Sequence, residues 1–244
     1  MSSLTKKVAI VTGGSRGIGR AIAERFGRDG ATVALTYAGN RDKAESVVET
    51  IASYGVQAIA IQSNISNPEE TRSLFEKVID TFGRVDIVVN NVGVSVYKLT
   101  TDITESDFDK VFNTNARGTF FALQAAAKNI SDGGRIISLS SGATKQSIPT
   151  GGIYAASKAA IEQFSFALSK ELGQRGITVN LVAPGVTNTD GLIMPDDALD
   201  HLVKSTPLGR LGQPTDIAEV VAFLASEAGG WVNGQTIQVN GGIL

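Results

Sequence analysis

The chain has 244 residues, and 22 lysines plus arginines against 24 carboxylates leave a formal net charge of −2. With no basic block and no cysteine, nucleic acid and anionic membranes are poor partners, and disulfide, thiolate-nucleophile and thiolate-metal chemistry are excluded. The N-terminal stretch has too few apolar residues for a signal peptide, and no run nears the ~18 needed to cross a bilayer, so a soluble cytoplasmic protein is expected.

In chain order, short apolar runs occupy 7–13, 32–37, 58–63, 85–91, 135–141, 177–184 and 236–242. Most are apolar at successive rather than alternate positions, which marks strands buried on both faces. Between them, 17–28, 41–54, 68–82, 105–130 and 154–173 are long enough for crossover helices. This alternation predicts one α/β domain over 1–244: a doubly wound, Rossmann-type, seven-stranded and mainly parallel sheet with helices on both faces. The segment 186–213 breaks the rhythm, with Gly, Pro and Asp around a short helical pattern from Ala198 to Lys204. It leaves the carboxyl end of a strand, the place where open α/β sheets bind ligands, and is predicted to be a substrate loop.

The first strand runs into a glycine turn and a helix, VAIVTGGSRGIGRAI. Gly13, Gly17 and Gly19 allow a sharp turn and close approach to a diphosphate, and the helix start aims free N–H groups at the anion. Ser15, Arg16 and Ile18 complete this candidate cofactor loop. The second strand ends LTYAGNRDK, with Tyr37, Asn40 and Arg41 but no acid at its tip to take a ribose 2′-hydroxyl. Two guanidiniums, Arg16 and Arg41, suit a 2′-phosphate instead, so NADP(H) is expected ahead of NAD(H). Read alone, Arg41 is equally a solvated helix-start charge.

Polar sets follow later strands: NNVG (90–93), FNTNARG (112–118) and LSSGA (139–143), then YAASK (154–158). In a parallel sheet these converge on one rim. Tyr154 and Lys158, four residues apart, share a helix face about 6 Å apart along the axis. An ammonium about 4 Å from the phenol, at an effective dielectric of ~20, favours phenolate by roughly 4 kcal/mol before desolvation. Lys158 is therefore expected to lower the Tyr154 pKa, making Tyr154 a usable acid–base group for a carbonyl. Ser141 is placed to hold the carbonyl oxygen.

Taken together, the glycine loop, NNVG, Asn115, Ser141, Tyr-x-x-x-Lys, Pro184-Gly185 and the terminal VNGG resemble the short-chain dehydrogenase/reductase family across nearly the whole chain. The resemblance implies further roles. Lys158 would also hold the nicotinamide ribose, and Asn115 a water linking Lys158 to solvent. Asn64 and Ile65 would meet the adenine, Asn91 and Gly93 the adenosine side, and Thr187 and Thr189 the carboxamide beyond Pro184 and Gly185. Asn64 stands where the family more often has Asp, Val92 where it has Ala, and Thr187 where it has Ile.

The pocket candidates are Val94, Val96, Tyr97, Ala143, Leu192, Ile193 and Met194, largely apolar, which suits a neutral ketone or its alcohol. The nearest subgroup resemblance is to 3-oxoacyl-(acyl-carrier-protein) reductases, which imply basic residues at the rim. Arg175 qualifies, but Asp132 opposes it, so a free carbonyl compound ranks first and an acyl thioester second. A non-catalytic dinucleotide-binding regulator is a further alternative, though such proteins typically lose the Tyr or Lys. His201 reads as a surface or lid residue, and Asp196 and Asp197 as a solvated helix start, so no metal is expected. The helix GTFFALQAAA is apolar around nearly its whole circumference, which predicts a second chain against it. The resemblance implies a homotetramer built through this helix and the 154–173 helix.

Overall fold

Each apolar run forms a strand: β1 (Val8–Val11), β2 (Thr32–Tyr37), β3 (Ala58–Gln62), β4 (Ile87–Asn90), β5 (Arg135–Leu139), β6 (Thr178–Pro184) and β7 (Thr236–Val239). The computed structural model describes residues 4–146, 149–192 and 194–244, so the pocket candidate Ile193 lies outside the described residues. The strands form one sheet in the order β3-β2-β1-β4-β5-β6-β7, and every neighbouring pair is parallel.

Burial on both faces explains the unbroken apolar runs. On one face Ala9, Val11 and Val89 pack with Ile22 and Phe26 of α1 (Gly17–Arg28), Val47 of α2 (Arg41–Ala52) and Val221 of α8 (Pro214–Ala225). On the other, Ile10, Val88 and Ile136 pack with Phe75 of α3 (Pro68–Phe82), Leu123 of α5 (Thr119–Asn129) and Leu168 of α6 (Gly152–Glu171). The order reverses between β1 and β4, opening a crevice at the carboxyl ends of those strands.

Helix starts follow local chemistry. Asn40 caps α2 by accepting from Lys43 N, and Asn67 with Pro68 starts α3. A Thr104–Asp107 capping box starts α4 (Glu105–Phe112). The helical segment expected over 105–130 is in fact α4 and α5 joined by a π-helical turn, Asn113–Gly118. Gly118 is needed there: a Cβ would lie 2.7 Å from the Ile65 carbonyl oxygen, so this wide turn is pressed against the loop that follows β3.

Two helices differ from expectation. The pattern at 198–204 begins earlier, as α7 (Asp196–Ser205). Helix α8 is absent from the sequence reading because Ile217, Ala218, Val221, Ala222, Leu224 and Ala225 bury most of its circumference, leaving no clear polar stripe. Its start signals, Gln213, Pro214 and Asp216, were nevertheless present. On α5 and α6, Phe120 and Phe166 remain exposed, and Phe120 meets Phe164 edge-on with ring centroids 5.1 Å apart.

Candidate active site

The glycine turn is fixed by hydroxyls and an amide at strand ends. Thr12 Oγ1 donates to the Val89 carbonyl and accepts from Asn91 N at 3.0 Å, while Asn91 Nδ2 donates to the Thr12 and Gly13 carbonyls. Gly13 N donates to Thr36 Oγ1 at 3.0 Å. Gly13 and Gly17 adopt left-handed φ of 65° and 55°. At Gly19 a Cβ would stand 2.3 Å from the Gly13 carbonyl oxygen, so only glycine permits this curl. The resulting cleft, about 470 Å³, is lined by Gly13, Ser15, Arg16, Gly17, Ile18, Gly19, Tyr37, Asn64, Ile65, Asn91, Gly93 and Thr189, among others.

Asn40 and Arg41 line neither this cleft nor the cavity that continues it. Asn40 spends its side-chain oxygen on the α2 cap, and Arg41 is exposed with its Nε 3.4 Å from Glu45. Arg16, by contrast, lines the cleft at the start of α1. The segment after β6 bends back over the glycine turn, because a Cβ on Gly17 would lie 3.5 Å from Thr189 Cγ2. Lys43 Nζ and Asp190 Oδ2, 3.4 Å apart, join α2 to that segment.

A second cavity of about 220 Å³ holds Ser141, Tyr154 and Lys158, with Pro184, Gly185 and Thr187 on its far wall. It shares Ile18, Asn91, Gly93, Val94 and Thr189 with the first, so the two are ends of one cleft. Pro184 closes β6, and at Gly185 an added Cβ would meet Asn240 Cα at 2.9 Å, which brings the terminal VNGG against this wall. Thr187 forms a parallel bridge to Gly212.

Lys158 is 3% exposed, and its Nζ donates to the Leu139 carbonyl at 2.8 Å. A Cβ on Gly93 would stand 3.0 Å from that nitrogen, so the loop after β4 passes close to the ammonium. Asn115 on the π-helical turn is buried. Its Oδ1 accepts from Val94 N and its Nδ2 donates to the Val94 carbonyl, both at 2.8 Å, and to Ser157 Oγ at 2.9 Å. Ser157 Oγ passes the chain on to the Tyr154 carbonyl at 2.7 Å. Both amide donors of Asn115 are thus used to join the loop after β4 to α6, a clamp that spacing alone did not reveal.

The electrostatics correct one expectation. Burial raises the Tyr154 phenol above its usual value, the Ser141 hydrogen bond opposes this, and nearby Tyr97 adds to it. Lys158 does not act as the expected lowering charge. Its ammonium, enclosed by protein, is itself pushed down from 10.5 to about 8 by burial. Desolvation is the largest cause of the shift in both groups.

The apolar candidates are only partly gathered. Val94 lines both ends of the cleft, and Ala143 is buried in the turn after Ser141. Val96, Leu192 and Met194 are half-buried nearby in sequence but line neither cavity. Tyr97 is half exposed, its ring centroid 6.0 Å from that of Tyr154 at 53°. His201 is exposed on α7. Thr36 and Ser63 also line the cleft; their signal was a polar residue ending an apolar run.

A family profile described as enoyl-(acyl carrier protein) reductase matches residues 13–244. The chain belongs to the short-chain dehydrogenase/reductase family. Versicolorin reductase stcU of Emericella nidulans is 41% identical, over 98% of this chain and 96% of its own length. Among solved structures, angucycline C-6 ketoreductase LanV with bound NADP is 41% identical, with a TM-score of 0.95 over 100% of this chain and 97% of that one. A short-chain dehydrogenase from Burkholderia cenocepacia J2315 in complex with NADP is 40% identical, with a TM-score of 0.94 over 98% of both chains. As a member of this family of oxidoreductases, the chain is an enzyme acting at the CH–OH/C=O level.

Proposed function

We propose that the protein is a cytoplasmic NADPH-dependent ketoreductase whose whole chain works as one catalytic domain, with 186–213 as the substrate loop. The observation that carries this reading is the placement of Ser141, Tyr154 and buried Lys158 at the end of a cleft that begins in the glycine turn. The turn is packed so closely that a Cβ at Gly13 or Gly19 would strike Val92, Asn91 or the Gly13 carbonyl, and the bare backbone it leaves along the cleft fits a diphosphate. Arg16 and the absence of an acid at the tip of β2 favour a 2′-phosphate, as do the NADP-bound relatives.

Reduced NADP, when bound, supplies the hydride. Ser141 holds the substrate carbonyl oxygen and shares its growing negative charge. Tyr154, a phenol that is protonated at neutral pH and that burial raises further, gives its proton to that oxygen. As the phenol becomes phenolate, the Lys158 ammonium behind it gains an attraction absent from the ground state, so its effect falls on the transition state. Asn115 holds Val94 and the Tyr154 backbone, through Ser157, in register.

The substrate is a ring-bearing ketone. Tyr97 offers a half-exposed aromatic wall beside Tyr154, and one relative, PfmaG of Pestalotiopsis fici, is named a tetrahydroxynaphthalene reductase. The acyl-carrier alternative loses its basic docking residue: Arg175 pairs with Asp132 at 2.7 Å and donates to the Ala127 and Ile130 carbonyls, serving the fold. Exposed Phe120 and Phe166 favour a homo-oligomer, a tetramer on the family pattern, which sedimentation tests.

The test is consumption of NADPH with a panel of bicyclic aromatic ketones, aliphatic ketones and a 3-oxoacyl thioester. Turnover of the bicyclic ketones, weakened in KM by Tyr97→Ala, is expected. Preference for the thioester would overturn the substrate assignment, and tight NADPH binding without turnover of any carbonyl would favour the regulator.

A further inference from the structure

We propose that Glu162 is a positioning residue for Ser141, an inference that rests on the reading of Ser141 as the holder of the substrate oxygen. Glu162 lies two helical turns beyond Tyr154, on the α6 face that also carries Lys158, and it is 9% exposed. Its Oε1 accepts from Ser140 Oγ at 2.6 Å and from Thr144 Oγ1 at 2.8 Å, and its Oε2 lies 3.8 Å from Lys145 Nζ. One carboxylate thus grips the residue before Ser141 and the residue three after it.

The grip reaches Ser141 itself. Thr144 Oγ1 is also 3.0 Å from the Ser141 carbonyl oxygen, which takes the Thr144 N–H at 3.1 Å. Ser141 Oγ accepts from Ala143 N at 3.2 Å, which occupies one lone pair and leaves the hydroxyl proton to be donated into the cleft. At the upstream end Ser140 N donates to the Val182 carbonyl, so the strand is fixed, and the carboxylate ties the turn beyond it, which has its own backbone hydrogen bonds, to α6. A buried carboxylate is costly unless its partners are good, and these partners bracket Ser141. A misplacement of the oxygen-holding donor by a fraction of an ångström falls on the chemical step rather than on cofactor binding.

The experiment is a double-mutant cycle on kcat, with Glu162→Ala and Ser141→Ala alone and together, read beside the NADPH dissociation constant. Glu162→Ala is expected to lower kcat on the order of 10- to 100-fold with NADPH affinity unchanged. It should cost less than about threefold in the Ser141→Ala background, because its effect acts through that serine. Glu162→Gln, which keeps the acceptor oxygen, should recover most of the loss. Should Glu162→Ala fail to fold, Thr144→Val enters the same cycle in its place. An equal loss in both backgrounds, or a kcat within twofold of wild type, overturns the proposal. Full activity in Ser141→Ala overturns the reading of the serine as well.

Discussion

The Lys158 ammonium donates a 2.8 Å hydrogen bond to the carbonyl of Leu139, at the end of the strand that leads into Ser141. The lysine is therefore stored in the fold behind Tyr154, fully enclosed, with its pKa pushed down to about 8. Its charge is a cost to the folded state that the proposed proton transfer would use.

That cost has a definite sign in pH. The folded pKa of about 8 lies below the ordinary value of 10.5, so between these limits the unfolded chain binds more protons than the native one. Stability from this group therefore rises as pH increases from about 8 toward 10.5, and is lowest below 8. Lys158→Met should be more stable than wild type at pH 7 by up to about 3 kcal/mol, less the lost bond to Leu139, while losing activity. Denaturant melts of both proteins at pH 7 and pH 10 check this: the advantage should shrink at the higher pH, and a constant gap would contradict it.

Arg16 lines the cleft, whereas Arg41 points to solvent beside Glu45. Arg16→Glu should move the ratio of kcat/KM for NADPH over NADH toward NADH by one to two orders of magnitude, about the worth of a lost charge-assisted contact plus repulsion. Arg41→Glu should move it less. The ratio measured with both cofactors decides between the two guanidiniums, and a larger effect at Arg41 would reassign the phosphate contact.

The Asn115 amide makes three short hydrogen bonds that tie Val94 to Ser157. Asn115→Leu removes them and leaves the Val94 N–H and carbonyl without these partners, which should cost about 2 to 4 kcal/mol of stability. Activity should fall further than folding accounts for, because the Tyr154 backbone is held through Ser157. Thermal melts and kcat on the folded fraction separate the two losses; unchanged kcat in folded protein would reduce Asn115 to a structural clamp.

The sheet was legible because a doubly covered strand is apolar at successive positions, as in Val8–Val11 and residues 87–89 of β4. Gly19 and the Tyr154–Lys158 pair were legible because a tight curl and a shared helix face each demand a fixed spacing. The direction of the Tyr154 shift was not, since desolvation depends on what surrounds a side chain in three dimensions. Nor was the π-helical turn that carries Asn115, for a single added residue per turn leaves little trace in periodicity. Asn40 carries two signals at once: spacing places it at a cofactor's edge, and its side-chain oxygen caps α2. Glu162 had a usable signal, a carboxylate eight residues from Tyr154 on the same face, but its serine and threonine partners come from another element.

The central claim is that the Tyr154 phenol gives its proton to the substrate oxygen. Single-turnover reduction of a ketone by NADPH-loaded Tyr154→Phe, beside NADPH titration of the same protein, tests it most directly. NADPH binding should stay within about twofold of wild type while the hydride-transfer rate falls about 10²- to 10⁴-fold, the usual worth of a positioned general acid. A rate within about threefold of wild type in a variant that binds NADPH normally would contradict it, since no general acid is worth so little.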